Sequence, residues 1–265
     1  MSENGNQAEA VVLREDANGV ATLWLNRPRQ YNALSEEVLT ALQTELDAIA
    51  ADETVRVVVI GAKGKAFCAG HDLKEMRAEP SEGYYNDLFS QCSRMMMSIN
   101  QLPQPVIARV HGLATAAGCQ LVAACDLAVA ADSAQFATSG IRFGLFCSTP
   151  AVAVSRNVGR KKALEMLLTG EFIDAATAVA EGLVNYAVPA EALDETVQKL
   201  VDAILAKSAV AVRTGKEMFY KQGEMGLAAA YEYASTVMAC NMMAEDALDG
   251  VQAFLDKRQP VWKHR

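Results

Sequence analysis

Two stretches of the chain carry residue types that could do chemistry on a bound small molecule. In Lys65-Ala66-Phe67-Cys68-Ala69-Gly70-His71-Asp72, small residues follow an apolar run, so a ligand can approach the main chain closely. Lys63, Lys65 and Lys74 add positive charge beside it. In His111-Gly112-Leu113-Ala114-Thr115-Ala116-Ala117-Gly118-Cys119-Gln120, small residues lead from an apolar run into a helical one. The first N–H groups of such a helix have no partner inside it, and they suit an anion or a developing oxyanion. Either stretch alone is explained as well by tight packing of helix on strand. The ring of His71 is placed to meet a ligand, either as a base titrating near neutral pH or as a bystander to its own N–H. His111 ends a buried strand and reads as structural, and His264 lies in the C-terminal tail.

Holding such groups in place takes a rigid scaffold, and the hydrophobic pattern predicts one. Val11-Val12-Leu13 and Val20 to Leu25 flank Asp16-Ala17-Asn18-Gly19, which reads as a hairpin. Ser35 is placed as an N-cap, with Glu36 and Glu37 in the first turn and Leu39, Leu42, Leu46 and Ile49 at helical spacing. Val57 to Ile60, Pro105 to Val110 and Leu127 to Ala131 are apolar without alternation, as strands buried on both faces are. Residues 61–70 read as a loop, 84–102 as a helix and 117–125 as another. Strand, crossover helix and strand in succession predict right-handed βαβ units and a mainly parallel sheet. Met95-Met96-Met97 fits helical core packing, with a flexible acyl pocket as the other reading. Beyond Ser155 the pattern is helical, with segments 160–169, 175–181, 193–206, 209–222, 227–243 and 246–255, interrupted by Val184 to Val188, which reads as a short strand. The expected division is a polar tail over 1–10, an α/β core over 11–200 and a helical region over 201–265.

The chain has 265 residues, 51% hydrophobic and 21% charged, enough for a substantial core without staples. Its formal charge of −8 argues against nucleic acid and anionic membranes as partners. Residues 1–10 lack the basic start and apolar run of a signal peptide, and no apolar run reaches membrane-spanning length, so a cytoplasmic protein is expected. The six cysteines form no C-x-x-C pair and have no zinc spacing with histidine. They read as reduced thiols, and no metal is expected.

Taken in order, the two stretches and their surroundings resemble the crotonase (enoyl-CoA hydratase/isomerase) superfamily over nearly the whole chain. The resemblance rests on Leu25-Asn26-Arg27-Pro28, Ala33-Leu34, Ala66 to Leu73, Pro105 to Ala108 with His111-Gly112, and Cys125 to Ala128. Ala134-Gln135-Phe136, Gly170, Ala175, Ala180 to Val184 and Ala253 to Arg258 continue it. It implies an α/β fold, a spiral of ββα units around a mainly parallel sheet, with a C-terminal helical region that makes trimers, often paired into hexamers. It implies an acyl-CoA thioester as substrate, with coenzyme A entering as part of that substrate and no further cofactor. The carbonyl oxygen of the thioester would be bound by the N–H groups of His71 and Ala117, which stabilise an enolate. Arg27, Ala33, Lys65, Ala69, His71, Asp72, Leu73 and Gly118 match coenzyme A-binding positions, and Lys257 matches one that reaches a neighbouring subunit's ligand.

The departures concern acid–base groups. Hydratases of the superfamily use two glutamates, and the matching positions here are Gln120 and Gly140. Losing two such groups costs about 10²–10⁴ each, so efficient water addition is not expected. Ser139, Cys147 and Ser148 lie at or near positions where relatives carry acid–base groups and are candidates for that work, or simply for lining a pocket. A different enolate chemistry (isomerisation, decarboxylation or thioester hydrolysis) and a catalytically silent acyl-CoA binder both remain open.

Overall fold

The computed structural model describes residues 10–265. The polar tail expected over 1–10 therefore lies, apart from Ala10, outside the described residues. The chain opens with β1 (Val12–Ala17) and β2 (Val20–Leu25), paired antiparallel with Ala17 opposite Val20. Asn18 and Gly19 between them have φ of 51° and 79°, the left-handed pair that matches hairpin twist. Ser35 then caps α1 (Glu36–Ala50), its hydroxyl accepting from the Val38 N–H. Leu39, Leu42, Leu46 and Ile49 of this helix are wholly buried in the main core.

Three turns of one unit follow, each with a long strand, a short strand and a helical stretch. The first has β3 (Val57–Ala62) and β4 (Ala66–Cys68), then α2 (Leu73–Ala78) and α3 (Glu82–Gln101). The second has β5 (Val106–Val110), β6 (Leu113–Thr115) and α4 (Ala117–Ala124). The third has β7 (Leu127–Ala131), β8 (Gln135–Ala137) and a 3-10 turn over Ser139–Phe143, then α5 (Ser148–Asn157) and α6 (Arg160–Thr169). After them come β9 (Ile173–Asp174), α7 (Ala175–Ala180), β10 (Tyr186–Val188) and α8 (Leu193–Leu205). The chain finishes with α9 (Ala209–Gly223), α10 (Leu227–Met242) and α11 (Glu245–Leu255).

The long strands build one six-stranded sheet, β1-β2-β3-β5-β7-β10, parallel beyond the opening hairpin. The short strands build a second sheet, β4-β6-β8-β9, with β9 antiparallel to β8. The continuous apolar runs are explained by cover on both sides. One face of the long sheet joins the main core, and the other packs Val57, Val59, Ile107, Val129 and Ala131 under Leu193, Val197 and Val201 of α8.

The structure departs from the sequence reading in three places. Residues 61–70 are not all loop, since they contain the end of β3 and the whole of β4. The boundary expected after residue 200 falls inside α8, which belongs to the core through Val201 and Leu205. The short strands β6, β8 and β9 had no counterpart in the sequence reading, because two or three residues are too few for periodicity, and the helices α2 and α5 had none either. Met95 and Met96 are buried in the core, as the core-packing reading has it, while Met97 faces outward.

The helix α9 is tied to this core by a buried charge. Lys216 Nζ donates to the Ile99 and Gln104 carbonyls at 2.8 and 2.9 Å and to Asp126 Oδ2 at 2.6 Å. Asp126 also accepts from the Val106 N–H at 2.6 Å and the Tyr220 hydroxyl at 2.8 Å. No helix among the described residues is long and apolar enough to cross a membrane.

Candidate active site

The stagger between the two sheets places the second unit's helix, α4, against β4. Gly118 makes that approach possible, because a Cβ there would collide with the Cys68 carbonyl. Gly70, at φ 94°, serves the same contact from the other side: a Cβ on it would stand 2.9 Å from Ala116 Cβ and 3.4 Å from the Ala117 nitrogen. Two glycines thus bring the His71 loop to the start of α4.

A cavity lies at this junction, with His71 and Ala117 both in its lining. Leu34 and His71 form an isolated parallel bridge in which the Leu34 N–H donates to the Gly70 carbonyl and the Asp72 N–H donates to the Leu34 carbonyl. The bonds fall on the neighbours of His71, so its own N–H points away from Leu34. Ala117 is the first residue of α4, where an N–H has no acceptor within the helix. The residue before it, Ala116, is held at φ 51° and ψ −120°, a conformation that favours glycine and costs about 1–3 kcal/mol elsewhere.

The cavity has a volume of about 350 Å³, and His71, Ala69, Leu73, Ala116 and Ala117 form one side of it. Met76 and Phe89 extend that side, and Ser139, Gly140 and the segment from Phe143 to Pro150 form the other. Cys147 and Ser148 start α5, so a second helix N-terminus faces the same space. Both helix ends favour negative charge inside the cavity. No aspartate or glutamate is among the described residues that line it.

The candidates for acid–base work take different places. Ser139 Oγ lies 2.6 Å from Thr115 Oγ1, and each hydroxyl has the other as a partner. Ser148 Oγ donates to the Phe146 carbonyl at 3.4 Å. Cys147 is buried and accepts from the Gly140 N–H through its sulfur at 3.3 Å. Burial pushes its thiol pKa up, against a smaller opposite effect of that N–H, so at neutral pH it is a thiol. Gln120 is buried in the first turn of α4 and is not among the cavity residues, and its Oε1 has no hydrogen-bond partner. At Gly140 the main chain already fills the space, since a Cβ would stand 2.6 Å from the Leu145 carbonyl oxygen and 2.7 Å from Cys147 Sγ.

Of the positions matched to coenzyme A binding, Ala69, His71 and Leu73 line the cavity. Gly118 acts through packing, as described. Arg27 and Asp72 hold each other at 3.3 Å, Arg27 also donates to the Ala33 carbonyl, and Asp72 caps α2 through the Lys74 and Glu75 N–H groups. Lys65 and Lys257 are exposed and do not reach the cavity in the single chain. The sequence reading missed Met76, Phe89 and the wall from Phe143 to Phe146. The signal that could have located that wall is Ser148-Thr149-Pro150, a helix start directly after it.

Staggered ββα turns that bring the His71 loop and the start of α4 to one cavity define a crotonase-fold protein. The chain belongs to the enoyl-CoA hydratase/isomerase family, whose sequence model matches residues 15–265. An enoyl-CoA hydratase of Mycobacterium smegmatis is 59% identical, with a TM-score of 0.95 over 96% of this chain and 99% of that one. Human enoyl coenzyme A hydratase domain-containing protein 3 is 44% identical, with a TM-score of 0.92 over 95% of this chain and 100% of that one. The rat mitochondrial protein of the same name is 46% identical over 247 residues, 93% of this chain and 82% of the relative.

Proposed function

We propose that the chain is an acyl-CoA enzyme that stabilises a thioester enolate between the N–H groups of His71 and Ala117. The observation that supports this reading is the Leu34–His71 bridge, which leaves the His71 N–H directed away from Leu34 in a loop that lines the cavity beside the start of α4. Donors of this kind are worth about 10²–10³ in rate each. The two helix ends add field of the right sign, and the apolar wall from Phe143 to Phe146 suits an acyl chain. Coenzyme A enters with the substrate, and no separate cofactor or metal takes part.

Hydration by paired glutamates has no residues to carry it here. Gln120 is not among the residues that line the cavity, and Gly140 is closed by main chain and the Cys147 sulfur. The reaction is therefore another enolate chemistry. A silent acyl-CoA binder is the second reading, favoured by the absence of any carboxylate among the lining residues. The exposed apolar side chains of α9 to α11, among them Phe219, Leu227, Tyr231, Met238 and Phe254, fit burial in a homotrimer or a pair of trimers, where Lys257 would reach a neighbour's ligand. A cytoplasmic location suits the free thiols, although the rat relative is by name mitochondrial.

The test is acetoacetyl-CoA binding followed by enolate absorbance, together with crotonyl-CoA hydration. The expected outcome is a saturable enolate band and hydration too slow to follow at ordinary enzyme concentration. Binding without an enolate band would remove the oxyanion reading, and fast hydration would show that a base outside the two glutamate positions serves water addition.

A further inference from the structure

Two hydroxyls meet at the cavity wall, and one of the two residues belongs to its lining. Thr115 ends β6 and is buried, whereas Ser139 opens the 3-10 turn after β8, is partly exposed and lines the cavity. The strands β6 and β8 pair with Thr115 opposite Ala137, which sets Ser139 Oγ 2.6 Å from Thr115 Oγ1. Neither hydroxyl has another hydrogen-bond partner among the described residues.

The direction of that bond follows from burial. Each hydroxyl has one proton to give. If Ser139 gave its proton to Thr115, the Thr115 proton would be left unpaired in the interior, the costly arrangement. If Thr115 gives its proton to Ser139, the buried donor is satisfied and the Ser139 proton is left for the cavity. Resting on the acyl-CoA reading above, we propose that Ser139, oriented by Thr115, is a specificity residue whose hydroxyl donates to a second oxygen on the acyl group, beyond the thioester carbonyl. The ligand class it selects is acyl thioesters that carry a hydroxyl or carbonyl on the chain, in preference to plain hydrocarbon chains of the same length.

The reach suits such a contact. Thr115 stands two residues before Ala117, so at most about 7 Å separates their Cα atoms. With a thioester oxygen at the Ala117 N–H, the Ser139 hydroxyl falls beside the first carbons of the acyl chain. The rest of the lining explains why one donor can decide between ligands. Leu73, Met76, Phe89, Phe143 and Phe146 are apolar, and the Ser148 hydroxyl is turned to the Phe146 carbonyl. A donor in these surroundings is left unpaired by a hydrocarbon chain and satisfied by an oxygen, so rejection of the one adds to binding of the other. No lysine or arginine is among the described lining residues, so the oxygen selected belongs to a neutral group and not to a carboxylate.

The experiment is calorimetric binding of butyryl-CoA and of each enantiomer of 3-hydroxybutyryl-CoA, which differ from it by one oxygen. It is read as the ratio of dissociation constants. The wild-type protein is expected to prefer one hydroxyacyl enantiomer over butyryl-CoA by about 3- to 10-fold, the worth of one neutral hydrogen bond. Ser139→Ala is expected to bring the ratio to about one. Thr115→Val leaves Ser139 without its orienting donor and is expected to lower the ratio, while Thr115→Ser keeps that donor and the preference. A role in packing alone would move both constants together and leave the ratio as it was. A wild-type ratio of one for both enantiomers, or an undiminished ratio in Ser139→Ala, overturns the proposal and leaves the acyl-CoA site standing. A wild-type protein that binds none of the three thioesters removes the acyl-CoA reading as well.

Discussion

Gly140 fills, with main chain and no side chain, a place where an acid–base group would be sought. The Leu145 carbonyl and the Cys147 sulfur close around its Cα. Gly140→Ala is therefore expected to cost about 1–3 kcal/mol through overpacking, read as a lower urea midpoint at unchanged slope. A midpoint equal to wild type would mean that the 141–147 segment yields freely. By the same geometry, Gly140→Glu combined with Gln120→Glu does not create a hydratase, because the first carboxylate has no seat in the cavity. At this scale the sequence was only partly legible. His71 and Ala117 lie in stretches marked out by their small neighbours, whereas Ser139 and Cys147 became candidates only through the family resemblance. That Gly140 is closed depends on Leu145 and Cys147, brought there by a segment without periodicity.

The helix α9 buries no hydrophobic side chain, yet it is fixed to the core by Lys216. Burial alone lowers the lysine's pKa and Asp126 opposes that, so the charge depends on its partner. Asp126→Asn is expected to destabilise the protein by about 3–5 kcal/mol, because it leaves a buried ammonium with two carbonyls and no counter-charge. Thermal or urea unfolding measures this, and Lys216→Met in the same background should recover part of the loss. An Asp126→Asn protein as stable as wild type would count against the ion pair. Elements with their own signal were legible: the Ser35 cap with the leucines of α1, the hairpin at Asn18-Gly19, and the three apolar strands. The short second sheet was not. Its strands pair residues dozens of positions apart, such as Ala66 with Leu113 and Ala114 with Phe136, and each holds too little sequence to announce itself.

Across the whole molecule, thiols set the alkaline limit. Burial pushes Cys68, Cys92 and Cys119 up to about 12, and Cys125 is pushed up as well. In the unfolded chain thiols ionise near about 8.5. A group whose folded pKa is raised in this way leaves stability intact below its unfolded value and erodes it as pH rises. Each thiol is expected to remove about 1.4 kcal/mol per pH unit between the two values. Urea midpoints at pH 8 and pH 10 under reducing conditions check this, and equal midpoints would contradict it.

The Leu34–His71 bridge has a consequence for synthesis. One donor of the site is aimed by a residue 37 positions upstream, the other begins a helix 46 positions downstream, and the far wall closes only with Pro150. A chain emerging from the ribosome therefore carries no trace of the cavity until three crossovers have closed in turn. After that the pocket is complete, while the last hundred-odd residues are still to be made. Nascent chains arrested at successive lengths should gain acyl-CoA binding in one step and not by degrees.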